Sequence, residues 1–238
     1  MLLYIIRHGK PDYATNTLVE EGRRQAVLVA DRLEKVGMDA IYSSPYGRAI
    51  ETAQPLADRL GLPIQIEDWA YELGDESRYQ LPDGTRILMA KLHGIYYHQE
   101  KFRALSVEDS FDVVEAFSES FRERYHSIAA GLDDMLKRNG YQRNEAGFYD
   151  PIASNDRHIA LFCHAGMERV LISHLFHLPY QFLATSMQVH FTSVTTIFFK
   201  NKPDDPTNIM PILYTLGDIG HLYNGESMPV HYVSGVNI

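Results

Sequence analysis

Only one cysteine, Cys163, occurs among the 238 residues, so no intrachain disulfide can form and a reducing compartment, the cytoplasm, is the expected setting. Long apolar runs are missing too. The opening stretch Leu2 to Ile6 offers five residues before Arg7, short of the roughly 7 to 15 of a signal-peptide core. No later stretch reaches the roughly 20 apolar residues of a membrane span, because charges or histidines punctuate every run. Positive charge is scarce: 22 Lys and Arg stand against 31 Asp and Glu, for a formal net charge of -9. That balance excludes a broad electropositive face for nucleic acid or anionic membrane. Any phosphate must therefore be held by a few concentrated cations. Repeats and low-complexity tracts are absent as well, and a soluble protein is expected.

What is present is an ordinary globular composition, 45% hydrophobic and 22% charged, enough for a well-filled core. The length suits one domain over residues 1–238 carrying an insertion over 75–155. Leu2 to Ile6 reads as a strand buried on both faces. Glu20 to Lys35 has helical spacing, with acids in its first turn and Gly37 beyond its end. Asp39 to Tyr42 and Leu62 to Ile66 read as strands, with a helix from Gly47 to Leu60 between them. After a loop from Trp69 to Gly74, the insertion predicts helices over Thr85 to Phe102 and Ser110 to Lys137, then a turn-rich Asn139 to Asn155. His158 to Cys163 restores a buried strand, followed by a helix over Met167 to His177 that Pro179 stops. Ser193 to Lys200 and Ile209 to Leu216 predict two closing strands. Strands alternating with helices indicate a mainly parallel sheet covered on both faces, with ligands at the carboxyl ends of its strands.

Chemistry-bearing residues fall at those ends. A phosphomonoester needs in-line positioning, neutralisation of nearly two negative charges, and a nucleophile. His8 suits the nucleophile through a neutral ring nitrogen, and Arg7 and Arg48 can fork onto nonbridging oxygens. His164, if protonated, adds a cation, and the amino end of the helix after His164 aims backbone N–H groups at an anion. Glu72 is placed to protonate a departing alkoxide.

Arg7-His8-Gly9, Ser43-Ser44-Pro45 with Arg48 and Thr52-Ala53, Glu72, and His164-Ala165-Gly166 occur in the order found in the histidine phosphatase superfamily, which the chain resembles over roughly residues 1 to 74 and 157 to 222. The resemblance implies a phosphoglycerate mutase-like fold: a three-layer α/β/α sandwich around a mainly parallel sheet, with a helical cap insertion. It implies catalysis by His8, Glu72, Arg7 and His164, phosphate binding by Arg7, His8, Arg48, His164 and Ala165, and no metal or organic cofactor. Asp218 and His221-Leu222, near the end of the resemblance, read as structural. Two departures stand out. Pro11 replaces the Thr or Ser common two residues after the triplet, and Asn16 is displaced from the usual asparagine place, so that side of the pocket is expected to be rearranged. Asp75 and Glu76 follow Glu72 closely and are alternative acids.

Rival readings exist. Cys163, Gly166 and Arg169 satisfy the Cys-x-x-Gly-x-x-Arg loop of cysteine-dependent phosphatases, although an inert buried thiol is the commoner fate of a cysteine ending an apolar strand. His174 and His177 have the spacing of paired metal ligands but no third ligand in view. Tyr79, Arg86, Lys91, His93, Tyr96, Tyr97 and Arg103 are cap residues able to grip a substrate. The leading expectation is hydrolysis of a small phosphorylated metabolite. A mutase is the alternative, and a noncatalytic phosphate-binding domain the third. Neither the metabolite nor the oligomeric state is legible.

Overall fold

The computed structural model describes residues 1–81, 83–92, 100–102, 105–153, 155–200 and 210–223. Its centre is a six-stranded sheet. Strands β1 (Leu2–Arg7), β4 (Ala40–Ser43), β5 (Ile64–Ile66) and β10 (His158–Cys163) run parallel, and β11 (Val194–Phe198) and β12 (Ile212–Asp218) close it antiparallel, in the order β12-β11-β1-β10-β4-β5. Three short hairpins lie outside it: β2 (Pro11–Asp12) with β3 (Thr17–Leu18), β6 (Arg78–Gln80) with β7 (Arg86–Leu88), and β8 (Tyr141–Arg143) with β9 (Tyr149–Pro151).

Strand alternation sends successive side chains to opposite layers. Tyr4, Ile6, Ala160 and Phe162 pack with Val29, Leu33, Ala53 and Leu56 of helices α1 (Glu20–Glu34) and α2 (Gly47–Leu60). Leu3, Ile5, Ile159, Leu161 and Cys163 face the other way, into a larger core with helices α4 (Glu119–Arg138), α5 (Ala165–Phe176) and α6 (Tyr180–Ser186), and with Phe111 of α3 (Val107–Val113). Each such fully buried aliphatic side chain contributes about 1.5–3 kcal/mol. The result is the expected three-layer α/β/α sandwich. An ion pair from Arg32 to Asp218, at 2.6 Å, ties β12 to α1.

Between β5 and β10 the described chain adds no strand to the central sheet, and here two predicted helices are corrected. The described part of Thr85 to Phe102 is not a helix but strand β7 and short 3-10 turns at Met89–Lys91 and Glu100–Phe102. The Asp83-Gly84 turn, with Gly84 at φ +85°, folds β7 back onto β6, and such turn chemistry outweighs helical spacing. Ser110 to Lys137 is two helices, because Ser118 accepts from the Phe121 N–H as the amino-terminal cap of a new helix, α4. The turn-rich Asn139 to Asn155 contains the β8–β9 hairpin.

Register explains the site. Arg7 pairs with Cys163, Phe162 with Ser43, and Ser43 with Ile66. The parallel strands therefore end level, and His8, His164 and Ser44 emerge side by side. Backbone bonds from His8 N to the Cys163 carbonyl and from Ser44 N to the Phe162 carbonyl, both 2.9 Å, hold those ends together.

Candidate active site

His8 is 1% exposed, and its Nδ1 lies 2.7 Å from the Gly9 carbonyl. A carbonyl only accepts, so Nδ1 carries the ring proton and Nε2 keeps a free lone pair. Burial first, and then the Arg7 charge, push the His8 pKa down to about 3, so the ring is neutral. His164 is fully buried, with Nε2 at 2.7 Å from Ser44 Oγ. Ser44 Oγ also accepts from Tyr46 N at 3.2 Å. With one proton and a second lone pair left, Ser44 Oγ can give to His164 Nε2 or accept from it, according to the ring tautomer. The two rings are 5.1 Å apart, centroid to centroid. Burial, then the neighbouring His8, Arg48 and Arg7, hold the His164 pKa well below the usual histidine range. The cation expected at His164 is therefore absent from the free site, because arginines and desolvation both oppose charge there.

Arg7 donates from Nη1 to the Val189 carbonyl at 2.5 Å and lies with Cζ 4.0 Å from the Phe191 ring centroid. Arg48, in the first turn of α2, donates from Nη1 to Asn16 Oδ1 at 2.6 Å, with Tyr46 against its guanidinium. Asn16 is thus brought onto the phosphate-side arginine after all, from a loop in which it adopts φ 57°, a left-handed conformation that asparagine tolerates. Arg7 Nε, Arg48 Nε and His164 Nδ1 are buried nitrogens with no hydrogen-bond partner among the described residues. Such atoms cost about 1–3 kcal/mol each when left unmet, and three on groups near enough for Arg7 and Arg48 to act on His164 suit the oxygens of a phosphoryl group.

Glu72 departs from expectation in one respect. Its Oε1 accepts from Leu73 N at 2.9 Å and Met167 N at 3.1 Å, and its Oε2 from Gly166 N at 3.3 Å. The N–H groups at the start of α5, expected to face phosphate, hold this carboxylate instead, since a helix amino end attracts any nearby anion. Gly166 permits the approach: a Cβ there would sit 2.8 Å from Glu72 Oε1. Glu72 lines a cavity of about 420 Å³ with Arg7, Ala165, Gly166, Tyr13, Arg78 and Arg169, and a second one of about 390 Å³ with Tyr46, Tyr71, Glu76, Glu123 and Arg124. Asp75 instead pairs with Arg86 at 2.5 Å and Arg78 at 3.6 Å on the surface, and Glu76 accepts from Gly74 N at 2.9 Å.

The rival centres come apart. Cys163 is fully buried and its thiol pKa is pushed well up, first by burial and then by Glu168. Arg169 gives Nε and Nη2 to the Met187 carbonyl, at 3.0 and 2.9 Å. His174 pairs with Asp133 at 2.9 Å while His177 faces the Gly147 carbonyl at 3.1 Å. Among the described residues no cluster of three or more His, Cys, Asp or Glu could hold a metal ion.

Of the cap residues, His93, Tyr96, Tyr97 and Arg103 lie outside the described residues, and Arg86 is in the Asp75 pair. Ser77, Arg78, Leu88 and Ala90, not Tyr79, Arg86 or Lys91, line the larger cavity. Sequence reading also missed Phe191 and Arg124, which no local motif marks. Nor did it use Asn16, whose proximity to the Arg-His-Gly triplet was the available signal.

Residues 3–75 match the model of the histidine phosphatase superfamily (branch 1). Phosphoserine phosphatase 1 of Hydrogenobacter thermophilus is 28% identical over 141 residues, covering 52% of this chain and 65% of that protein. A 2,3-bisphosphoglycerate-dependent phosphoglycerate mutase of Thermoplasma acidophilum is 34% identical over 80 residues, covering 29% and 40%. The chain thus spans less than two thirds of the length of these curated relatives. Among solved structures, a mutant phosphoserine phosphatase of Entamoeba histolytica in complex with phosphoserine superposes with a TM-score of 0.62 at 20% identity, covering 93% of this chain and 99% of that one. At that identity the likeness speaks for the fold. No helix among the described residues is long and apolar enough to cross a membrane.

Proposed function

We propose that this chain, whose residues 3–75 match the histidine phosphatase superfamily, is a member of that superfamily and hydrolyses a small phosphomonoester through a phosphohistidine on His8. The observation that carries the reading is the bond from His8 Nδ1 to the Gly9 carbonyl, which leaves Nε2 as an unprotonated nucleophile beside two arginines. Nε2 attacks phosphorus in line as the P–O bond to the leaving group breaks, and the Glu72 carboxyl gives its proton to that oxygen. An arriving dianion favours the protonated form of His164, so charge on His164 comes with substrate. Water then attacks phosphorus, Glu72 takes the water proton, and the P–N bond breaks to restore the His8 lone pair. Arg7, Arg48, His164 and the Ala165 backbone hold the nonbridging oxygens.

Arg7, Arg78 and Arg169 against Glu72 in the larger cavity suit a leaving group with an anionic substituent, and phosphoserine, named for two of the relatives, is a natural probe. We read the described part of residues 75–155 as the cap over this cavity, and the single buried thiol as suited to the cytoplasm. The mutase alternative draws on the Thermoplasma relative. Such an enzyme must grip a dephosphorylated product, yet Lys10, the cation next to the triplet, is taken up by Glu21 at 2.5 Å. Acidic work-up is avoided because a P–N bond is acid-labile. Quenching with base after mixing with ³²P-labelled phosphoserine should leave label on His8 and release free phosphate without isomerised product. His8→Ala should lose label and on the order of 10⁴-fold or more in turnover. Turnover retained by His8→Ala would overturn the reading.

A further inference from the structure

Arg124 of α4 is 6% exposed, yet among the described residues it pairs with no carboxylate. Its Nη2 donates to two backbone carbonyls, Trp69 at 2.9 Å and Tyr71 at 2.6 Å, and its Cζ lies 3.5 Å from the Tyr71 ring centroid. The next residue along is Glu72. Meanwhile Nε and Nη1 of Arg124 are buried without partners, at roughly 1–3 kcal/mol each. An apolar side chain would fill the same space without that cost, so the arginine is explained by what Nη2 does.

Two further residues of α4 act on the same segment. Seven residues after Arg124, on the same face of the helix, Gly131 leaves room for the Trp69 ring: a Cβ there would fall 2.2 Å from Trp69 Cγ. Seven residues further, Arg138 binds Glu67 Oε1 at 2.6 Å, and the other oxygen of Glu67 accepts from Trp69 Nε1 at 2.6 Å. Positions 124, 131 and 138 thus form a rail along α4, and the chain from Glu67 to Tyr71 is laid on it. At the far end of that chain, the start of α5 receives the Glu72 carboxylate.

We propose that Arg124 is the positioning residue for the general acid: by bridging the carbonyls of Trp69 and Tyr71 it sets the point from which Glu72 reaches the leaving-group oxygen. The proposal rests on the assignment of Glu72 as acid. Proton donation matters most for poor leaving groups, and a displacement of about 1 Å costs up to about 10²-fold. Loss of Arg124 therefore has a chemical signature.

The test compares kcat/KM, which reports phosphoryl transfer to His8, for p-nitrophenyl phosphate and β-glycerophosphate in the wild type, Glu72→Gln, Arg124→Lys and Arg124→Gln. Lysine keeps the charge, but its ammonium ends one atom short of the position from which Nη2 bridges the two carbonyls. Both Arg124 variants should lose about ten- to hundredfold on the alkyl ester and under about threefold on the aryl ester, as Glu72→Gln does more strongly. Trp69, the only tryptophan of the chain, gives a second readout, and its fluorescence should become more quenchable by acrylamide in both Arg124 variants. Equal losses on the two esters, or none, in the Arg124 variants while Glu72→Gln is selective would overturn the role of Arg124 alone. A nonselective Glu72→Gln would overturn the acid assignment and this proposal with it. Should one Arg124 variant fail to fold, the other decides.

Discussion

Two histidines stand at the ends of adjacent parallel strands, His8 after β1 and His164 after β10, each followed by a small residue and each shut away from solvent. Their hydrogen bonds make them opposites. His8 gives its Nδ1 proton to a carbonyl and so presents a lone pair at Nε2. His164 has Nε2 met by Ser44 and keeps an Nδ1 with no partner among the described residues. On the proposed reading one strand end supplies a nucleophile and the other, once an arriving dianion protonates its ring, a hydrogen-bond donor for the phosphoryl oxygens, although the residues that follow each strand are nearly the same. A side chain's role here depends on which nitrogen its nearest backbone or hydroxyl group occupies.

The sharpest way to break that comparison is His164→Asn. A donor aimed at a developing charge is worth on the order of 10²–10³ in rate, so kcat/KM should fall by about that factor while label from a radioactive ester still accumulates on His8. Loss of all label would mean that His164 takes part in the covalent step.

A second comparison concerns charge. The pKa of His8 is depressed to about 3 and that of His164 well below the usual range, so the unfolded chain binds more protons than the folded one below the ordinary histidine value of about 6.5. The stability these groups contribute is complete above about pH 6.5 and is lost as pH falls towards 3, by up to about 1.4 kcal/mol per pH unit for each ring. Urea midpoints measured between pH 7 and pH 4.5 should fall for the wild type, and less steeply for the His8→Asn, His164→Asn double variant. An equal slope in the two proteins would place charge on the rings in the free site.

The smallest effect is expected from the third group at the same strand end. Cys163 shares its strand end with His164, but its thiol is fully buried in the apolar core with its pKa raised, the reverse of a reactive thiolate. Cys163→Ala should cost about 1 kcal/mol of stability from the lost packing and change kcat by under about twofold. Inactivation of the native enzyme by iodoacetamide, at a rate matching modification of Cys163, would restore it as a nucleophile.

Much of this was legible in local sequence. The apolar runs at Leu2 to Ile6 and His158 to Cys163, with Gly and Pro punctuation between helices, determine an α/β sheet whose strand ends carry Arg7, His8 and His164. Those signals are short in range, and the elements they mark depend mainly on their own residues. The stretch from Thr85 to Lys137 was misread because a turn at Asp83-Gly84 and a serine cap at Ser118 decide its structure, and both compete with a helical spacing that looks continuous.

What only the tertiary structure decided is contact between distant segments. Asn16 meets Arg48, Ser44 meets His164, the start of α5 receives Glu72, and Arg124 reaches back across α4 to the carbonyls before Glu72. Residue types near His8 and His164 named the chemistry. Which group meets His164 Nε2, and where Glu72 stands, follow from partners that lie 120 positions away in one case and 53 in another, a distance over which no sequence periodicity carries information.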